Sequence, residues 1–122
     1  MDNPNTVSVE DTDRTWNLLL DQLETMVGKR PADLNAVLFL IGIQELGVGP
    51  RRFSKEQKQD LLHIATCRVL SLSGYYAFDG YDKDGWPSWT LVKPIPQTNL
   101  AAQEYLIQQH VIQYFEQVVP LL

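Results

Sequence analysis

With 122 residues, 44% of them apolar and 20% charged, the chain is long enough to bury a real core and too apolar to be natively disordered. Its net charge of −5 argues against broad nucleic-acid binding, because neutralising phosphates supplies most of the affinity there. The single cysteine, Cys67, excludes an internal disulfide, and the longest apolar run, residues 36–43, is far short of the roughly twenty residues of a membrane span.

The charge is unevenly spread. Residues 1–27 carry −5, residues 28–68 carry +3 and residues 69–122 carry −3, so a local anion site in the basic middle stays open. No basic start followed by an apolar stretch marks a signal peptide. The expectation is one domain over residues 1–122, cytoplasmic, without membrane contact, nucleic acid, cofactor or metal.

Residues 1–11 are polar and aperiodic and read as a loose arm. A first helix is predicted from Asp13 to Val27, with Asp11 or Thr12 as its cap and Trp16, Leu19, Leu20, Leu23, Met26 and Val27 on one stripe. Leu18 lies off that stripe. Gly28 followed by Pro31 stops it. The second helix should open near Pro31 and end at Gly47; Leu34, Val37, Leu38 and Ile41 on one side and Phe39, Leu40, Ile43 and Leu46 on the others make it a central helix.

The turn around Gly49 and Pro50 leads to Ser54, which forms a capping box with Gln57 and opens a third helix running to about Ser73. Its predicted stripe is Leu61, Leu62, Ala65, Val69 and Leu72, stopped by Gly74. The period then changes. Residues 75–92 read as two short strands joined by a tight turn in which Gly85 supplies positive φ, with Pro87 restricting the second strand to an edge. A fourth helix is predicted from Thr98 or Asn99 to Val119, with Leu100, Ile107, Val111, Tyr114, Phe115 and Val118 on a wide stripe. The fold class is mainly α: four helices in a bundle or orthogonal array, with one short aromatic β-hairpin between the third and fourth. Short links after the first two helices favour antiparallel neighbours.

Candidate chemistry is sparse. "DGYDKDG" places Asp82, Asp84 and Gly85 as a calcium loop would, but Gly80 and Leu91 fall where carboxylates are needed, so a hairpin turn is the better reading. His63 and Cys67 share a helix face with His110 available from the fourth helix, yet three ligands without any Cys-x-x-Cys pairing favour a packed cysteine and a partly exposed histidine over zinc. The same pair offers a nucleophile and base without the third, orienting group.

Arg51 and Arg52 precede the amides opening the third helix, where an anion would be attracted, although Ser54 competes for those amides. The hairpin concentrates aromatic residues. Seven of twelve lie at Phe53, Tyr75, Tyr76, Phe78, Tyr81, Trp86 and Trp89, and half of the hairpin's rings should turn away from the core. Tyr81, Trp86 and Trp89, with Leu106 on the far side of the fourth helix from Val111 and Val118, are the expected interface residues.

The segments "FLIGIQELG", "KEQKQDLLHIATCRVLS" and "GYYAFDGYDKDGWPSW" resemble a small bacterial protein family without an assigned function, over about residues 37–90. The resemblance implies a stand-alone bacterial domain and carries no catalytic residue to any position. The function expected is a non-enzymatic interaction module, a homodimer or an adaptor for another protein. The alternative is a small anionic-ligand-binding protein or enzyme built on Arg51, Arg52, Ser54 and nearby rings.

Overall fold

The computed structural model describes residues 9–49, 51–96 and 99–120. Four helices are present with an antiparallel hairpin between the third and fourth: α1 (Val9–Val27), α2 (Leu34–Leu46), α3 (Lys55–Ser71), β1 (Tyr76–Tyr81), β2 (Pro87–Leu91) and α4 (Leu100–Gln117). Among the described residues no helix is long and apolar enough to cross a membrane.

α1 begins at Val9, so residues 9–11 of the expected arm are helical; the rest of the arm lies outside the described residues. Neither expected cap acts as one. Glu10 and Asp11 sit in the first turn, where carboxylates oppose the positive end of the helix dipole. Thr12 is buried, its hydroxyl 3.0 Å from that of Tyr105 on α4. Leu19, Leu20 and Leu23 enter the core as predicted, but Met26 and Val27, in the last turn, are exposed. Leu18 is also exposed. The most extensive backbone contact of α1 is with α4, the helix most distant in sequence, while its leucines share one core cluster with Val37, Leu38 and Ile41 of α2.

α2 starts at Leu34, three residues later than Pro31, because Asp33 is extended and its carboxylate accepts the Ala36 amide at 2.8 Å. Its buried residues are Val37, Leu38, Ile41 and Gly42. Gly42 permits close packing of α2 on α3. A Cβ there would lie 2.6 Å from the Leu61 carbonyl oxygen of α3, so the two backbones touch where the side chain is missing.

The capping box at Ser54 and Gln57 is formed in both directions, at 3.1 and 2.8 Å. Beyond the predicted Leu61, Ala65 and Val69, α3 also buries Ile64, Cys67 and Leu70; Leu62 and Leu72 are half-buried. Cys67 is packed, as expected, although it lies off the predicted stripe. It is fully buried because the hairpin covers that second face of α3. The helix ends at Ser71 and Gly74 turns the chain with φ of 80°.

α4 is capped by Asn99, whose side chain accepts the Ala102 amide at 2.8 Å, and it ends at Gln117, two residues before the expected Val119. Leu100 is exposed, whereas His110, Val111 and Tyr114 are buried. Val118 and Val119 pack against the core; Leu121 and Leu122 lie outside the described residues.

Candidate functional site

The hairpin pairs Tyr76 with Leu91, Ala77 with Thr90, Phe78 with Trp89 and Tyr81 with Pro87. Two residues lie between Phe78 and Tyr81 but only one between Pro87 and Trp89, so Asp79 and Gly80 together oppose Ser88 in a β-bulge. Gly80, at φ of 90°, supplies the backbone this requires. Regular alternation would send Phe78 and Tyr81 to opposite faces. The bulge restores them to one face, and their ring centroids lie 5.2 Å apart. Trp89 stands 5.5 Å from Phe78 on its other side. Both contacts are edge-to-face, the geometry that the ring quadrupole favours.

The turn is closed by Asp82. Its amide donates to the Trp86 carbonyl at 2.8 Å, and its carboxylate accepts the amides of Asp84 and Trp86 at 2.9 and 3.0 Å. The carboxylate that suggested a calcium loop is therefore spent on the turn's own backbone, and Gly85 has the positive φ that the turn needs.

Both ends of the hairpin are anchored to helices. At the base, the Tyr75 ring meets His110 of α4 at 6.2 Å and the Tyr76 side chain lies beside the Cys67 thiol of α3. Lys93 crosses above Tyr75, its ammonium 4.3 Å from the ring centroid and donating to the Ser73 carbonyl at 2.7 Å. At the tip, Trp86 packs edge-on against Phe53 at 6.4 Å, and Phe53 in turn against Phe39 of α2 at 6.1 Å. Trp86 is thus half-buried at this anchor.

Between the anchors the rings remain open. Phe78 is 45% exposed and Tyr81 71% exposed, while Trp89 is half-buried beside them. The Trp89 Nε1 is buried with no acceptor among the described residues, an unusual state for an indole N–H. On the opposite face of the hairpin lie Ala77, Asp79 and Thr90, and the Thr90 hydroxyl donates to the Asp79 carboxylate at 3.1 Å. Of the four expected interface residues, Tyr81 and Trp89 fall in this open cluster. Leu106 is half-buried and packs against the core, as does Ile107.

The basic loop meets the hairpin at its tip. The Arg51 guanidinium sits 5.1 Å over the Phe53 ring, the ring that Trp86 abuts. Arg52 is exposed. Ser54 uses its hydroxyl on the Gln57 amide, so the cap occupies part of the helix end where an anion would bind.

His63 Nε2 lies 3.5 Å from Cys67 Sγ, the spacing of a nucleophile and base. The chemistry opposes that role. Cys67 is fully buried, and burial pushes its thiol up to about 11 from 9.0, whereas a nucleophilic cysteine needs a depressed value and access. His110 is not a third partner. Its Nδ1 donates to the Leu106 carbonyl at 2.7 Å, and the Ser73 hydroxyl lies 2.6 Å from its Nε2. Ser73 lies ten residues past His63 along the chain, roughly 15 Å at helical rise. His63 instead borders a groove of about 470 Å³ between α2, α3 and α4, with Leu34, Leu38, Leu62 and Ile107 below and Asp33 and Glu104 at the rim.

No protein-family model, curated protein or solved structure matches the chain, so no residue role can be carried here from another protein.

Proposed function

We propose that this protein is a non-enzymatic interaction module that works by self-association, with the hairpin as its contact surface. The observation that carries the reading is the open cluster of Phe78, Tyr81 and Trp89. A β-bulge gathers these three rings on one face of a hairpin whose two ends are already fixed to helices. Large rings with limited rotamer freedom, pre-positioned by the backbone, lose little entropy on binding.

The anion-binding alternative has less behind it. Arg51 is stacked on Phe53, and the capping box takes amides that an anion would need. Sedimentation equilibrium over a wide concentration range tests the leading reading. A reversible dimer is expected in the micromolar range, weakened roughly two- to tenfold by Tyr81→Ser if one aromatic contact of about 0.5–1.5 kcal/mol is lost. A strict monomer at high micromolar concentration would overturn it.

A further inference from the structure

The hairpin has two edges, and their main-chain groups differ. The Val92 amide donates to the Tyr75 carbonyl at 2.9 Å, which makes Tyr75 and Val92 a hydrogen-bonded pair. Alternation along the ladder then makes Tyr76–Leu91 non-hydrogen-bonded, Ala77–Thr90 hydrogen-bonded and Phe78–Trp89 non-hydrogen-bonded. The N–H and C=O groups of Tyr76 and Phe78 therefore point away from β2, along the outer edge of β1. On β2 the outward positions are Leu91, Trp89 and Pro87, since the Asp82–Trp86 pair closes the other end. Pro87 has no N–H to offer, so the outer edge of β2 is blocked at its start. No proline guards β1, where Ala77, Phe78 and Asp79 are all exposed.

Resting on the self-association reading above, we infer that β1 pairs edge-to-edge with β1 of a second copy of this chain, antiparallel about a two-fold axis at Ala77. The register follows from the groups available. With Ala77 facing Ala77 of the other copy, Tyr76 of each chain lies opposite Phe78 of the other. Both are outward-pointing residues, so the two pairs form about four main-chain hydrogen bonds. Centring on Phe78 would pair Tyr76 with Gly80, inside the bulge, where the ladder is displaced.

Side chains favour the same register. On the aromatic face, Phe78 of one copy lies beside Tyr76 of the other, a cross-strand aromatic pair that covers the exposed Phe78 ring. On the polar face, Asp79 of one copy lies opposite Tyr75 of the other, beneath the Lys93 ammonium 4.3 Å from that ring. A carboxylate thus meets a cation at both ends of the pairing. At the axis itself stands the small side chain of Ala77, with no charge to repel its own image.

Disulfide trapping tests the register. Ala77 is the one β1 residue that faces itself. As an intermolecular non-hydrogen-bonded pair it has a Cα separation of about 4.5 Å, within disulfide range. Ala77→Cys should therefore oxidise to a covalent dimer at least tenfold faster than Thr90→Cys, which shares its face but lies one strand further from the axis. The native Cys67 can stay, because it is buried, and a Cys67→Ala background gives a second version if it interferes. Sedimentation of the unmodified chain separates the two claims. A reversible dimer with equal trapping at Ala77 and Thr90 overturns the β1 edge while leaving self-association intact. A strict monomer overturns both. Asp79→Lys should weaken the dimer and Asp79→Lys with Lys93→Asp should restore it; a double variant no better than the single would also contradict the register.

Discussion

The Tyr114 hydroxyl of α4 donates a 2.7 Å hydrogen bond to the Glu45 carboxylate of α2, and the other carboxylate oxygen takes the Arg68 guanidinium of α3 at 3.0 Å. Three helices are thereby joined at one carboxylate. Arg68 also lies 5.8 Å over the Tyr114 ring and donates to Ser71 at 3.3 Å. Burial, with the hydrogen bond to Glu45 and the charge of that carboxylate, raises the Tyr114 pKa well above the ordinary value. Tyr114→Phe keeps the buried ring but leaves a half-buried carboxylate one donor short. It should destabilise by about 1–3 kcal/mol, read from urea midpoints with an unchanged slope. An unchanged midpoint would show that water replaces the hydroxyl without cost.

Gly42→Ala tests the contact between α2 and α3. A methyl 2.6 Å from a carbonyl oxygen cannot be absorbed by a side-chain rotation, because the obstacle is backbone. Helix propensity alone would favour alanine by about 1 kcal/mol. Overpacking of about 1–3 kcal/mol opposes that gain, so net destabilisation is the expected sign. A stabilised variant would mean that the helices separate freely at this crossing.

Cys67 predicts an alkaline weakness. Its folded pKa is raised to about 11 from 9.0, so its share of stability is complete below pH 9 and is lost as pH rises toward 11, where the unfolded thiol ionises and the folded one resists. Tyr76 and Tyr114 shift in the same direction and extend the loss upward. Denaturation midpoints should fall from pH 9 upward, and Cys67→Ala should flatten that fall. In the native state a thiol reagent should label Cys67 only through unfolding. Labelling as fast as that of a free thiol would contradict its burial.

These residues also mark where the sequence was legible. Ser54 with Gln57, Gly74 and Gly85 carry their structure locally, through a cap geometry or a positive φ, and the hairpin and the start of α3 followed from them. Periodicity could not show what covers Cys67 and Leu106, since their neighbours are distant in sequence: the hairpin closes over one face of α3, and Leu106 packs against a core shared with other helices. Nor did alternation anticipate Phe78 and Tyr81 on one face. That depends on a bulge at Gly80, which read as an ordinary glycine of the first strand. The Gly42 contact was equally hidden, because a glycine within a helix signals nothing until the opposing backbone is known.

The basic loop has its own test. If Arg51 and Arg52 hold an anion, sulfate should raise the melting temperature of the natural chain more than that of Arg51→Ala with Arg52→Ala, by binding the native state preferentially. Equal rises would be general salt exclusion and would leave the loop without a site.

The hairpin's part in self-association is tested most directly by residue-resolved amide hydrogen exchange at several protein concentrations. The Tyr76 and Phe78 amides, pointing out from β1, should exchange rapidly in dilute solution and become protected as concentration rises. The Ala77 amide, bonded within the hairpin, should change little. Exchange at Tyr76 and Phe78 that is fast and identical at every concentration, including those at which sedimentation detects a dimer, would contradict the account.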